Sequence, residues 1–401
     1  MTRTLVVTND YPPRPGGIQS FVHELSARQP AGSLVVFASD WRGSAAFDAA
    51  QPHPVVRYRS GLMLPTPDVA RQAAAIARAE GCDTVWYGAA APLGLLTPAL
   101  RRRAGVRHAV ASTHGHEVGW ALLPGARQVL GQVGRRSDVV TYLGAYTRRR
   151  LAPALGSRPR LVRLPSGVDT AAFRPGAGGD ELRRRYGLAD RPVVVCVSRL
   201  VARKGQDVLV RALPQIRRTA PDAALLIVGG GPYRPVIERL VREAGLERHV
   251  VLTGSVPSAE LPAHYDAGDV FAMPCRTRRR GLEVEGLGIV FLEASATGLP
   301  VVAGDSGGAP DAVQPGETGE VVGGRDVEAV AAAVAGYLAD PERARATGER
   351  GRRWMQQRWR WEVAAARLGA ILAADPGVAD DPYDLAPDRG RQGNESPGRR
   401  G

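Results

Sequence analysis

Three stretches of this sequence carry residue types and spacings that suit chemistry on an anionic sugar. The first is Ser198-Arg199-Leu200-Val201-Ala202-Arg203-Lys204-Gly205, directly after a β-branched run. Two cations five residues apart, Arg199 and Lys204, just beyond a strand end, suit a phosphate group, and fixed cations there can neutralise a diphosphate leaving group. Lys204 is the only lysine in the chain; the other 52 basic residues are arginine. A compact ammonium and a planar guanidinium are not equivalent at a tight site, so a lone surviving lysine marks a position where arginine does not serve. A Schiff-base role for Lys204 with a pyridoxal cofactor ranks lower, because Arg199 and Arg203 suit an anion better than an imine carbon. The second stretch is Glu283-Val284-Glu285-Gly286-Leu287-Gly288-Ile289-Val290-Phe291-Leu292-Glu293. Glu285 falls in the loop before a helix and Glu293 about two turns into it. Gly286 and Gly288 free the helix-start amides for close contact, and a carboxylate beside exposed amides matches sugar hydroxyls, with the second carboxylate suited to a ribose. The third is Ser112-Thr113-His114-Gly115-His116-Glu117 at a strand end, where His114 or His116 faces a ligand crevice and can bond a hydroxyl. Zinc is not expected, since no second motif completes a His-x-His site.

Other loops support these. Asn9 to Gln19 joins the first strand to the first helix, and Gly16 and Gly17 let its backbone approach an anion at the helix start. Gly229-Gly230-Gly231-Pro232 and Gly304 to Pro310 follow later strands. No Asp-x-Asp pair occurs in the sequence, so the usual divalent-metal clamp for a nucleoside diphosphate is missing.

The elements that must position these loops alternate. Strands are predicted at 4–8, 34–38, 55–57, 84–87, 106–112 and 138–142, with helices at 18–27, 67–80, 92–103, 126–136 and 145–155 between them. After a turn-rich connection at 165–179 the pattern restarts, with strands at 193–198, 224–228, 250–253, 270–273 and 301–303. Helices intervene at 206–219, 233–244, 260–267, 287–297 and 327–338. Strand–helix alternation of this kind implies α/β architecture with parallel sheets. The expected organisation is two doubly wound domains, 1–165 and 166–350, then a helical segment, 351–374, holding three of the six tryptophans, then a polar, disordered tail, 375–401.

A chain of 401 residues with 44% hydrophobic content is long enough for two cores. No apolar run reaches the length of a membrane span, and the N-terminus lacks the features of a secretory signal. Three widely spaced cysteines make no disulfide framework and fit a reducing cytoplasm. The net charge is +13, and residues 1–165 hold +12 of it, in clusters such as Arg101-Arg102-Arg103, Arg135-Arg136 and Arg148-Arg149-Arg150. That asymmetry suggests an anionic partner. Nucleic acid is disfavoured, because the clusters lack interleaved aromatics and no recognition motif appears.

Together these motifs resemble glycosyltransferase family 4: the Arg199/Lys204 unit, Glu285-x7-Glu293, the Gly229 to Pro232 loop, the Gly307-Gly308-x-Pro310 loop and the connection Pro165-Ser166-Gly167-Val168-Asp169 with Phe173 and Pro175. The resemblance covers roughly residues 3–373. It implies the GT-B fold, two Rossmann-like domains facing across a cleft, with a C-terminal helix that crosses back to the first domain. The opening Asn9-Asp10-Tyr11-Pro12-Pro13 with Gly16-Gly17-Ile18-Gln19 and the segment His114 to Trp120 are similar to the actinobacterial branch that adds a second mannose to phosphatidylinositol monomannoside, from GDP-mannose and with retention. By that resemblance Arg199, Lys204, Glu285 and His114 are catalytic. Gly16, Gly17, Gly229, Gly230, Val256, Gly286, Leu287, Gly288, Ile289 and Glu293 bind the donor, and Asp10, Tyr11, Gln19 and His116 the acceptor. No metal or other cofactor is expected, and the partners are a nucleotide sugar, a mannosylated phosphoinositide and the anionic inner face of the cytoplasmic membrane. Asp311 stands where many relatives carry Glu. Remaining alternatives are a family member building a different glycolipid or exopolysaccharide, and a UDP-N-acetylglucosamine 2-epimerase-like enzyme.

Overall fold

A computed structural model describes residues 3–381. Seven strands form the first sheet: β1 (Thr4–Thr8), β2 (Leu34–Ser39), β3 (Val55–Tyr58), β4 (Thr84–Tyr87), β5 (His108–Ser112), β6 (Val139–Tyr142) and β7 (Arg160–Arg163). Six form the second: β8 (Val193–Val197), β9 (Ala224–Val228), β10 (Val250–Gly254), β11 (Val270–Met273), β12 (Val301–Gly304) and β13 (Gly319–Val322). The spatial orders are β3-β2-β1-β4-β5-β6-β7 and β10-β9-β8-β11-β12-β13, with every pairing parallel. The central strands β1, β4, β8, β9 and β11 are buried along their whole length, because helices cover both faces of a doubly wound sheet. This is why they read as short, almost wholly apolar or β-branched runs. Strand order reverses between β1 and β4 in one sheet and between β8 and β11 in the other. Ligands of open α/β sheets bind at such switch points, beyond the C-terminal strand ends.

Several elements depart from the predicted ones. The edge strands β7 and β13 were not foreseen, nor were the short helices Ser44–Asp48, Glu117–Leu122 and Gly179–Arg185. The predicted helix 92–103 divides into a 3₁₀ turn, Leu93–Leu96, and a helix, Thr97–Ala104, whose first turn accommodates Pro98. The helical segment 351–374 is two helices, Pro341–Arg358 and Trp361–Leu372, interrupted at Arg360, whose backbone is extended. The first packs on Ile289–Thr297 of the second domain; the second packs on Gly17–Ala27 and on β4 and β5 of the first. The chain crosses between them at Trp359–Trp361, beside the outgoing connection: the Val168 N–H donates to the Trp359 carbonyl at 2.7 Å. Trp359 and Trp361 are buried there. Residues 375–381, expected in a disordered tail, are instead seated against β7. Val378 is buried, the Arg163 N–H donates to the Asp380 carbonyl at 2.7 Å, and Arg160 pairs with Asp380 at 2.6 Å. A polar composition hid that charge complementarity. The remainder of that tail, 382–401, lies outside the described residues.

Candidate active site

The second sheet supplies the charged half of the site from both sides of its switch point. After β8 the chain turns through Ala202–Lys204 in 3₁₀ conformation, then Gly205 (φ 80°) starts the helix Gln206–Thr219. A side chain at Gly205 would collide with the Pro274 carbonyl, so the tight turn that presents Lys204 requires glycine. After β11 the chain runs through a long loop to Glu285. Lys204 Nζ lies 2.7 Å from Glu285 Oε2, and Arg203 Nη1 lies 2.6 Å from the same oxygen. Glu285 is 7% exposed. Burial pushes its pKa up, but Lys204 and then Arg203 outweigh that and hold the carboxyl below its ordinary value. Its backbone is pinned as well, since the Glu285 N–H donates to Ser306 Oγ and the Gly308 N–H to the Glu285 carbonyl. Among the described residues Oε1 has no protein partner, so one carboxylate oxygen is committed to cations and the other is available to a ligand.

Glu293 is the fifth residue of the helix Ile289–Thr297, one turn in rather than two. The Tyr265 hydroxyl donates to Glu293 Oε2 at 2.5 Å. Burial raises the Glu293 pKa to about 7 against the lowering effect of that hydrogen bond. Arg199 is exposed at the end of β8. The loops after β8, β9 and β10 lie side by side: the Leu200 N–H donates to the Gly230 carbonyl at 2.8 Å and the Gly229 N–H to the Gly254 carbonyl at 2.9 Å. Gly229, Gly230 and Val256 therefore share a rim with Arg199.

The first sheet supplies the opposite wall. The helix Gly17–Ala27 begins at Gly17 after the β1 loop. His114, past the end of β5, is held by three contacts. Its Nε2–H donates to the Gly88 carbonyl at 2.5 Å, its N–H donates to the buried Glu117 carboxylate at 2.9 Å, and its ring meets Phe21 edge-on at 4.9 Å. The Nε2 contact leaves Nδ1 as the acceptor. Burial depresses its pKa, so the ring is neutral at physiological pH. His116 stacks near His114 with ring centroids 6.4 Å apart and is half-exposed.

Between the walls lies a cleft of about 440 Å³. It gathers Gly17, His114, His116, Lys204, Glu285, Gly286, Leu287, Gly288 and Ile289 from the predicted set. The walls approach closely where a side chain at Gly115 would lie 2.9 Å from Gly286 Cα and one at Gly286 would lie 2.9 Å from the His114 carbonyl. Only glycines permit that approach. Arg199, Gly229, Gly230, Val256 and Glu293 do not line this volume but belong to the switch-point rim and the helix beyond it. Of the residues expected to bind the acceptor, His116 lines the cleft and Asp10, Tyr11 and Gln19 lie behind its wall. Tyr11 is 3% exposed and packed among His23, Phe47 and Arg57, with its hydroxyl pKa pushed up to about 12 by burial; it is a core residue. Gln19 is buried and donates to Asp10 Oδ1 at 2.7 Å, so this pair closes the loop on itself, and Gly16 holds a positive φ of 155° that side chains rarely adopt. Arg203, Leu143 and Ser166 line the cleft without having been singled out as site residues. Arg203 was visible in sequence as a second cation beside Lys204, and Ser166 belongs to the connection that carries the family resemblance; nothing marked Leu143.

Next to the mouth of the cleft, the hairpin Arg278 to Glu283 carries three arginines. Arg279 and Arg280 are both left-handed (φ 49° and 52°), at a cost of about 1 kcal/mol each. Glu283 pairs with Arg278 and Arg279; Arg280 has no ion-pair partner among the described residues.

Two nucleotide-fold domains whose switch points face one cleft, with a cation-held carboxylate on one wall and a neutral histidine on the other, define a GT-B glycosyltransferase site. The chain belongs to the family 4 glycosyltransferases. Residues 15–172 match the Glycosyltransferase Family 4 model, and residues 179–354 match Glycosyl transferases group 1. It is 54% identical, over 92% of its length and 98% of the relative's, to the GDP-mannose-dependent alpha-(1-6)-phosphatidylinositol monomannoside mannosyltransferase of Mycolicibacterium smegmatis. It is 53% identical to the protein of the same description from Mycobacterium tuberculosis, over 94% of this chain and 99% of that one. A Corynebacterium glutamicum relative, described as acting on the monoacylated acceptor, is 46% identical over 93% of this chain and 98% of that one. The fold matches HepE from Anabaena in complex with UDP (TM-score 0.79, 19% identity, 93% of this chain and all of that one). It also matches sucrose-phosphate synthase from Thermosynechococcus elongatus (TM-score 0.75, 24% identity, 93% and 98%).

Proposed function

We propose that this enzyme transfers mannose from GDP-mannose to phosphatidylinositol monomannoside, with retention at the anomeric carbon and through an α-1,6 link. The names of its half-identical relatives support the substrates. The observation that carries the chemistry is Glu285, buried at the cleft, with Oε2 held by Lys204 and Arg203 and Oε1 unoccupied by protein. In this reading the sugar hydroxyls donate to Oε1 and to the Nδ1 acceptor of His114. The diphosphate lies against Arg199, Arg203, Lys204 and the helix-start amides at Gly17 and Ile289. The bond between the anomeric carbon and the β-phosphate oxygen breaks as the acceptor hydroxyl oxygen attacks from the same face. The hydroxyl proton passes to the departing phosphate, and the cations stabilise the charge that grows there. Since this charge is met by arginine and lysine, turnover is expected without a divalent metal ion. No helix among the described residues is long and apolar enough to cross a membrane. With a lipid acceptor and a basic first domain, the enzyme works at the inner membrane face as a peripheral protein. The test is incubation with GDP-mannose and phosphatidylinositol monomannoside in EDTA, followed by linkage analysis. The expected product is the α-1,6 dimannoside; no product, where another donor or acceptor is turned over, overturns the reading.

A further inference from the structure

The described residues expose seven large hydrophobic side chains; two of them, Leu122 and Leu282, approach one another across the cleft, and Leu123 follows Leu122 in the chain. Leu122 and Leu123, 47% and 51% exposed, form the corner between the helices Glu117–Leu122 and Pro124–Arg136 of the first domain. Leu282, 48% exposed, projects from the arginine hairpin of the second. Leu122 and Leu282 draw near across the cleft mouth. A Cβ on Gly281 would lie 3.6 Å from Leu122 Cδ1, and one on Gly119 would lie 3.9 Å from Leu282 Cδ2. Arg279 and Arg280 flank them, both exposed, with Arg280 unpaired among the described residues. Scattered single leucines on a surface mean little, but an apolar spot shared by two domains and flanked by two exposed arginines suits a contact.

We propose that this rim, half on each domain, inserts into the headgroup region of an anionic bilayer, and that the bilayer thereby favours the closed cleft. The proposal rests on the lipid acceptor argued above and specifies the surface that meets the lipid. Leucines enter the acyl boundary and arginines meet lipid phosphates, an arrangement with both required kinds of complementarity. A second copy of the chain is the less suitable occupant. Three half-exposed leucines fall well short of the ~800 Å² per side of a stable interface, and arginines on both copies would repel. Because Leu122 and Leu282 lie on different domains, only the closed arrangement presents one continuous patch. Any ligand that binds one state better shifts the balance toward it, so lipid and donor assist each other's binding.

The test uses the full chain and vesicles of phosphatidylcholine with or without phosphatidylglycerol. It compares wild type with Leu122→Ser/Leu123→Ser and with Arg279→Ala/Arg280→Ala, none of which touches the groups assigned to chemistry. Sedimentation with anionic vesicles is expected to weaken about tenfold or more for the leucine pair and about fivefold per arginine. KM for vesicle-borne acceptor rises in parallel, while turnover of a short-chain, water-soluble acceptor is unchanged. GDP is expected to tighten wild-type binding to anionic vesicles and to have no such effect on either variant. Unaltered vesicle binding in both variants overturns the proposal even if mannose transfer is confirmed, as does vesicle binding indifferent to GDP. Wild type that elutes as a dimer which the leucine variants dissolve overturns it in favour of a protein interface. Absence of transfer to either form of acceptor, with vesicle binding behaving as described, refutes the substrate reading and leaves the lipid rim standing.

Discussion

Replacing Lys204 by methionine tests the arrangement on which the site depends. The ammonium lies 2.7 Å from Glu285 Oε2, and both side chains are about nine-tenths buried. At an effective dielectric near 20 that separation corresponds to roughly 6 kcal/mol of attraction, set against a desolvation cost of several kcal/mol for each ion. Leaving a buried charge without its partner costs about 3–5 kcal/mol, and here Arg203 stays on the same oxygen, so we expect a net loss of about 2–3 kcal/mol. In domains of this size that corresponds to a Tm lower by roughly 4–12 °C. The pH dependence gives a second reading. In the wild type the Glu285 pKa is depressed, so its contribution to stability is present above the ordinary carboxyl value and is lost as pH falls through the depressed one. Without Lys204 the burial effect gains ground, the pKa rises, and the acid limb of the kcat profile moves toward neutrality. Calorimetry and a pH–rate series measure both. A variant that melts within about 1 °C of wild type with an unmoved acid limb would falsify the reasoning. Lys204→Arg keeps the charge but not the compact shape; it should stay folded and lose most turnover, and near-normal kcat would show that the seat does not discriminate between the two cations.

Tyr265→Phe removes the donor that lowers the Glu293 pKa from its burial-raised position, so the pKa should climb above about 7 and donor KM at neutral pH should rise, with the KM profile displaced to higher pH. Because the raised pKa makes ionised Glu293 a liability in the folded state, its unfavourable contribution develops as pH rises from the ordinary carboxyl value through about 7; Glu293→Gln should therefore raise Tm more at pH 8 than at pH 5, and an equal shift at both would contradict this. Gly286→Ala places a methyl 2.9 Å from the His114 carbonyl across the cleft, so kcat should fall at least about tenfold while Tm changes by only a few degrees; a melting curve beside steady-state kinetics separates the two effects.

Much of the scaffold was legible because buried parallel strands are continuous apolar runs: Thr84–Tyr87, Ala224–Val228 and Val270–Met273 were read with the bounds the structure gives. Strands β7 (Arg160–Arg163) and β13 (Gly319–Val322) were not, since an edge strand half-open to solvent carries arginine or glutamate and loses the pattern. At the site, Lys204 and Glu285 each stood out locally, one by its rarity and one by its glycine context. Their direct pairing across 81 positions is set by the neighbouring β8 and β11, which no local pattern records. Tyr11 lies in a loop that reaches the cleft, yet its ring is turned into the core, because adjacency in sequence says nothing of which way a side chain turns. Tyr265, which holds Glu293, reads in sequence as one more buried aromatic.

The two stretches of chain that join the domains run side by side, with Val168 bridged to Arg360 and Gly167 so close to Trp361 that a Cβ there would lie 2.6 Å from the Trp361 Cα. Mechanically this is a two-ply strap. A single thread would let the domains swivel and slide; a pair of bonded threads bends about one line and resists torsion. If the domains move apart, bending about the line of this strap is the softest mode, like the cover of a book against its spine. Such a hinge would carry Gly115 and Gly286 along one arc and bring the histidine wall back to the carboxylate wall in the same alignment, so that accuracy at the cleft would be inherited from a joint that takes no part in the chemistry.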